Sequence, residues 1–240
     1  MADYFLALKE RAEIAEGTMA FWFDTSGTDY TFRAGQNADF TLIDPPQTDA
    51  EGNTRTFSFA SSPSHSGSFM IATRMRRTAF KNSLKELPLG AKLKVSPALG
   101  SFTLHKDISR PAVFLTGGIG ITPMRSIIEW ATLAKLPHKL LLLYSNRTPQ
   151  TTAFLSDLET WTKQNPNFKL VATVTDMQDP KWRNEHGRID GTMLRKHVTD
   201  LMKPIYYLAG PPEMVSAMRR LLEAAEVSED YIKTEEFAGY

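Results

Sequence analysis

The stretch Thr116-Gly117-Gly118-Ile119-Gly120-Ile121-Thr122-Pro123-Met124 is the part of the chain best suited to holding an anion. Pro111 to Leu115, ahead of it, is short, apolar and β-prone, and Met124 to Ala134, behind it, carries apolar residues at helical spacing. A buried strand, a glycine turn and a helix in succession form a phosphate-binding corner, because helix-start N–H groups point at the ligand and the dipole favours negative charge. Glycines let the backbone approach a ligand with no Cβ in the way. Thr122 is placed to cap the helix, and Pro123 to open it where no N–H is needed. A strand-to-helix turn without a ligand is the plain alternative. The spacing G-G-x-G-x-T-P differs from the G-x-G-x-x-G dinucleotide fingerprint.

Other residues suit the same chemistry. In Arg55-Thr56-Phe57-Ser58, Arg55 offers a planar fork of donors matched to phosphate oxygens. The segment Arg74 to Leu84 is basic and leads into a short helix near Ala79 to Leu87, whose first N–H groups suit an anion, with Lys81 as an added charge. A solvated basic face is the ordinary reading of such a run. Tyr206 to Met214 repeats the strand-then-turn pattern, with proline at a helix start. Ser145-Asn146-Arg147-Thr148 ends another strand with no acid before Asp157, which leans toward a ribose carrying a 2′-phosphate. Arg188 and Asp190 read as loop and helix-capping residues. The histidines at 65, 105, 138, 186 and 197 show no metal spacing, and no metal is expected. The chain has no cysteine, which excludes disulfides, thiolate metal sites and a cysteine-ligated iron–sulfur cluster within it.

Two kinds of element position these groups. Before residue 106 the pattern is of short strands: Tyr4–Ile14, Thr18–Phe23, Phe32–Gln36 leading into Asp39–Ile43, Arg55–Ala60, Ser68–Arg74, Leu93–Ser96 and Gly100–Leu104. Such a series predicts a small antiparallel barrel or sandwich. From Pro111 strands and helices alternate. Strands are expected at 112–116, 139–145, 169–175, 205–209 and 231–235, and helices at 123–134, 153–164, 192–198 and 212–225. That order predicts a parallel sheet with helices on both faces. The expected division is 1–106 and 111–240. A net charge of +1 implies no nucleic-acid partner, no apolar run is long enough for a membrane span, and a cytoplasmic location is the default expectation.

These segments, in this order, resemble the ferredoxin–NADP(H) reductase superfamily across nearly the whole chain. Arg55 to Ser58 is similar to its R-x-Y-S flavin motif, with Phe57 where tyrosine is usual. Thr116 to Met124 is similar to its nicotinamide-nucleotide turn, and Ala209 to Met214 to its C-G-P/S-x-x-M segment, with Ala209 where cysteine is usual. Glu235 and Phe237 match its acidic and aromatic ending. The resemblance implies an FAD-binding antiparallel barrel followed by an NAD(P)H-binding α/β domain. It implies flavin contacts from Arg55, Thr56, Phe57, Ser58, Thr73, Arg74, Thr78, Ala79, Phe80, Lys81 and Phe237, with Tyr240 an additional terminal aromatic. It implies nucleotide contacts from Gly117, Gly118, Ile119, Gly120, Thr122, Pro123, Arg147, Ala209, Gly210, Pro211 and Met214. Ser58, Glu235 and Thr122 would be the catalytic side chains.

The expected activity is hydride transfer from NADPH or NADH to FAD, then electron transfer to a separate acceptor protein such as a ferredoxin or an oxygenase component. Arg76, Arg77 and Lys85 would steer an acidic acceptor. Two other readings stay open: a non-catalytic flavoprotein subunit that carries electrons or senses redox state, and a nucleotide-binding domain without flavin.

Overall fold

The computed structural model describes residues 3–176 and 182–237. Its first half is a six-stranded antiparallel sheet of β1 (Tyr4–Ala15), β2 (Thr18–Asp24), β3 (Asn37–Thr41), β4 (Thr54–Ser58), β5 (Ser68–Arg74) and β6 (Lys92–Val95), in the order β4-β3-β6-β1-β2-β5. Alternation along the strands sends Leu6, Leu8, Phe21, Phe23, Phe40 and Phe57 to one side, where they make an aromatic-rich core with Phe59 and Phe69. An antiparallel bridge between Phe59 and Ile71 brings the two edge strands together, so the sheet curls into a barrel. Helix α1 (Ala79–Glu86) plugs it with Phe80 and Leu84.

The segment Gly100–Leu104, expected as a strand, is not one. Only a bridge between Asn37 and Leu99 forms there. The Thr103 carbonyl instead accepts from the Tyr207 hydroxyl and the Lys233 ammonium, so this backbone is satisfied by the second half of the molecule. Phe32–Gln36 is likewise outside any strand.

The second half is a six-stranded parallel sheet of β7 (Ala112–Gly117), β8 (Leu140–Asn146), β9 (Phe168–Val174), β10 (Glu185–His186), β11 (Ile205–Gly210) and β12 (Ile232–Glu236), in the order β10-β9-β8-β7-β11-β12. Helices α2 (Ile121–Leu133) and α3 (Leu155–Gln164) pack on one face with Phe114, Leu142 and Tyr207. Helices α4 (Gly191–His197) and α5 (Pro212–Ala224) pack on the other with Val113, Leu115 and Leu208. Asp190 caps α4 by accepting from the Met193 N–H. The strand order reverses between β7 and β11, which opens the crevice where open α/β sheets bind ligands.

Helix α2 locks the two halves together. Arg125 donates to the Ala60 carbonyl at 2.6 Å, and Ser126 to the Ser61 carbonyl at 2.6 Å. The Glu129 carboxylate accepts from the Ser62 N–H and pairs with Arg125 at 3.2 Å. Arg125 also reaches Asp157 at 2.6 Å and lies over the Phe154 and Trp161 rings. Because α2 starts directly after the glycine turn, these contacts hold that turn against the barrel.

Candidate functional site

The site forms where the switch crevice meets the barrel. Thr116, Ala209 and Glu235 are successive Cα partners across β7, β11 and β12. The Thr116 hydroxyl donates to the Ala209 carbonyl at 2.8 Å. Just beyond this row the chain turns on itself. A Cβ on Gly120 would stand 2.5 Å from the Ala209 carbonyl oxygen, so only glycine lets the turn lie on the strand end. Gly210 has φ of +147°, a backbone state that favours glycine. The Tyr144 hydroxyl supports the turn from below by donating to the Gly118 carbonyl at 3.0 Å.

The helix start differs from expectation. A single 3-10 turn over Gly118–Gly120 begins the winding early, so α2 opens at Ile121 and Gly120 takes the cap position. Thr122 is already inside the first turn, and its hydroxyl donates back to the Ile119 carbonyl at 3.1 Å. Pro123 lies inside that turn as well, where a missing N–H still costs no helical bond.

Glu235 reaches from this row into the barrel. Its Oε1 accepts from Ser58 Oγ at 3.1 Å and from Asn37 Nδ2 at 3.0 Å, while Oε2 is buried without a partner among the described residues. Burial pushes the Glu235 carboxyl above its ordinary pKa, and the bonds from Asn37 and Ser58 offset part of that rise. Asn37 had no signal in the sequence. Its backbone is held on both sides by Leu99, which leaves the side chain free to reach a residue 198 positions away.

Two clefts open from here and share Arg74. The first, between barrel and glycine turn, is lined by Arg55, Thr56, Phe57, Ser58, Thr73, Arg74, Thr78, Lys81, Ile119, Thr122 and Phe237. The second, over the sheet edge, is lined by Arg74, Gly117, Gly118, Arg147, Pro211 and Met214, together with Asn146 and Arg188. The remaining expected residues stand behind these walls. Phe80 is 1% exposed and belongs to the barrel core, so its ring is not part of the cleft. Gly120, Pro123 and Ala209 are buried, Ala79 starts α1, and Gly210 accepts from the Phe237 N–H at 3.2 Å. Thr56 turns its hydroxyl to Asp39. Tyr240 lies outside the described residues.

The chemistry of the walls fits a nucleotide and a second anionic ring system. Asn146 is buried in the second cleft, and among the described residues neither amide atom makes a hydrogen bond of good geometry, although the amide lies close enough to the Tyr144 hydroxyl to lower its pKa. Such a group is costly unless a ligand or water meets it. Arg74, Arg147 and Arg188 there face one carboxylate, Glu213. Arg188, read as a plain loop residue in the sequence, arrives because the short strand β10 pairs with β9 and returns the chain to the sheet edge. In the first cleft Thr78 caps α1 by accepting from the Lys81 N–H. The Lys81 ammonium donates to the Arg74 carbonyl at 2.9 Å, and burial followed by the nearby Arg76 and Arg55 charges lowers its pKa. Arg55 departs from expectation, since its donors are engaged by its own loop. Among the described residues, no helix is long and apolar enough to cross a membrane.

Comparison with known proteins agrees with this architecture. Residues 114–220 match the oxidoreductase NAD-binding domain family. The chain is similar to reductase component 2 of terephthalate 1,2-dioxygenase from Comamonas sp., at 27% identity over 170 residues, covering 70% of this chain and 50% of that one. It is similar to the glycine betaine monooxygenase reductase subunit of Chromohalobacter salexigens, at 27% identity over 214 residues, covering 88% and 57%. The chain thus spans about half the length of these curated relatives. A cytochrome P450 reductase from Amycolatopsis superposes with a TM-score of 0.83 over 98% of this chain and 70% of that one, and at 23% identity the likeness is one of fold. The nucleotide-binding match and the superposition agree: the chain carries an oxidoreductase NAD-binding domain behind an antiparallel barrel, in the two-domain fold of ferredoxin reductase-like proteins.

Proposed function

We propose that this chain is a flavin-dependent NAD(P)H oxidoreductase that oxidises the reduced nicotinamide nucleotide and passes the electrons to a separate acceptor protein, ferredoxin-type or an oxygenase component. The observation that carries the reading is the junction of the two clefts at Arg74 and the glycine turn, with the Ser58–Glu235 pair closing its inner end. FAD would lie in the first cleft, held by the barrel, and NAD(P)H in the second, so that residues 1–106 and 111–240 act as flavin and nucleotide domains. When bound, the flavin supplies a hydride acceptor that releases two electrons singly.

The chain's own residues bind, orient and move a proton. Phe57 and Phe237 offer aromatic faces, and Ser58 and Thr122 offer hydroxyls at the cleft wall. Oxidation of one NAD(P)H by two one-electron acceptors leaves one proton to release. Ser58 Oγ and Glu235 form a path for it, since an uncharged Glu235 holds a proton and an ionised one accepts it. Arg147 and Arg188 favour NADPH through its extra phosphate. Oxygenase and monooxygenase reductases among the relatives support the choice of acceptor. A cytoplasmic setting, where reduced nicotinamide nucleotide is regenerated, completes the proposal.

The test is an anaerobic titration of the flavin-loaded protein with NADPH and with NADH. Bleaching of the flavin band within the time of a turnover supports the reading. A flavin that neither nucleotide reduces would instead leave a non-catalytic flavoprotein, a reading favoured by Ala209 and Phe57. Colourless protein in the presence of FAD would leave only a nucleotide-binding domain.

A further inference from the structure

The donors expected to grip a flavin phosphate are already gripped by the chain itself. The loop between β3 and β4 folds back over Arg55. Asp49 Oδ1 accepts from Arg55 Nη2 at 2.7 Å, and Glu51 Oε2 meets Arg55 Nε at 3.1 Å. Nη1 donates to the carbonyls of Glu51, Gly52 and Thr54 at 3.0, 3.0 and 2.8 Å. Every nitrogen of the guanidinium therefore faces the loop.

The second half of the seat, the start of α1, stands near the Asp49 carboxylate. Arg55 holds the Asp49 carboxyl below the usual range, and the N–H groups of Glu51 and Ala79 add to that effect. Ala79 is the first residue of α1, and its N–H is one of those a helix start leaves without a helical partner. Arg55 and the start of α1 are an arginine fork and a helix N-terminus, the two features that together bind phosphate oxygens. Asp49 is paired with the first, and the Ala79 N–H of the second adds to the field that holds its charge.

We propose that Asp49 is an internal stand-in for a flavin phosphate, and that FMN or FAD enters this cleft by displacing it. The inference rests on the flavin reading above. A phosphate and the Asp49 carboxylate compete for the same donors, and like charges brought side by side repel. The 45–54 loop thus sets how strongly phosphate-bearing flavins are held relative to riboflavin, which has no phosphate to place there. Glu51, largely exposed beside Arg55, adds to the barrier.

The test is a fluorescence titration of the full chain, stripped of flavin, with riboflavin, FMN and FAD. Wild type is compared with Asp49→Asn and with Asp49→Asn/Glu51→Gln. FMN and FAD should bind the double variant about tenfold more tightly, and riboflavin should change little. Adding Arg55→Ala should erase the gain. Weaker or unchanged FAD binding in the variants overturns the inference, as does an equal gain for riboflavin, and either result leaves the flavin reading standing. A chain that binds none of the three flavins, in any variant, overturns both. Inorganic pyrophosphate, followed by phosphorus NMR line broadening, gives a second measure: the double variant should broaden the line more than wild type, and equal broadening counts against the stand-in role.

Discussion

Ser58 Oγ stands 3.1 Å from Glu235 Oε1, so the end of a barrel strand is tied to the last strand of the parallel sheet across 177 residues of chain. Asn37 donates to the same oxygen, and among the described residues Oε2 has no partner. An oxygen that already receives two donors is a poor place for a proton, so a neutral Glu235 carries its proton on Oε2. Glu235→Gln keeps the shape and removes the titration. Flavin reduction by NAD(P)H should persist in this variant, while steady-state turnover with an acceptor falls about 10²-fold, the usual span of acid–base catalysis. Stopped-flow and steady-state rates measured side by side check this, and unchanged turnover would remove Glu235 from the proton path.

Asn37 should act through Glu235 rather than on a ligand. Its hydrogen bond lowers the pKa of a carboxyl that burial has raised, so removing the donor lets that pKa climb further. Asn37→Leu should shift the limb of the pH–rate profile assigned to Glu235 to higher pH, and Asn37→Ser should shift it less. A profile that keeps its midpoint while only the maximum rate falls would indicate a merely structural role.

The same carboxyl makes a prediction about stability. A folded-state pKa above the unfolded one means that the fold binds the proton more tightly than the open chain does. Stability from this group is therefore complete below the unfolded pKa and is lost as pH rises through the raised folded value. Glu235→Gln should abolish that part of the pH dependence, so that the variant gains on wild type in Tm as pH climbs. Parallel curves for the two proteins would show that Glu235 ionises in the fold without penalty.

Much of this arrangement is legible in local sequence, because strand alternation, glycine turns and helix spacing are local signals. The β7 turn and the basic approach to α1 are visible for that reason, whereas the Glu235–Phe237 ending stands out only through the family resemblance. What was hidden depends on distance or on competition. Asn37 has meaning only beside Glu235, at the far end of the chain. Asp49 reads as an ordinary loop acid until the loop folds onto Arg55. Thr122 looked like a cap because nothing local announces the 3-10 turn that winds Gly118–Gly120 ahead of it. Gly100–Leu104 has strand composition, yet the second domain takes the Thr103 carbonyl.

Arg147 and Arg188 come from different loops onto one cleft, and under the proposed function a ribose phosphate there would meet two cationic partners. Charge-assisted hydrogen bonds of this kind are worth about 1.5–3 kcal/mol each. Arg147→Ala and Arg188→Ala should each raise KM for NADPH about tenfold or more and leave KM for NADH nearly unchanged. Equal losses with both nucleotides would remove the basis for the NADPH preference.

The Arg125–Glu129 pair allows a test of how the halves are joined. Both residues are 7% exposed, and Glu129 also holds the Ser62 N–H of the barrel loop. Breaking a buried pair strands a charge, at a cost of about 3–5 kcal/mol, whereas replacing both partners by apolar groups is often close to neutral. Arg125→Met should therefore destabilise the protein strongly in urea unfolding. Arg125→Met/Glu129→Met should recover part of the loss, but less than a simple pair would. Asp157, the Ala60 carbonyl and the Ser62 N–H all lose a partner in the double variant. If the single and double variants are equally unstable, the Arg125–Glu129 contact itself contributes little. The lock between the barrel and α2 would then reside in the backbone bonds alone.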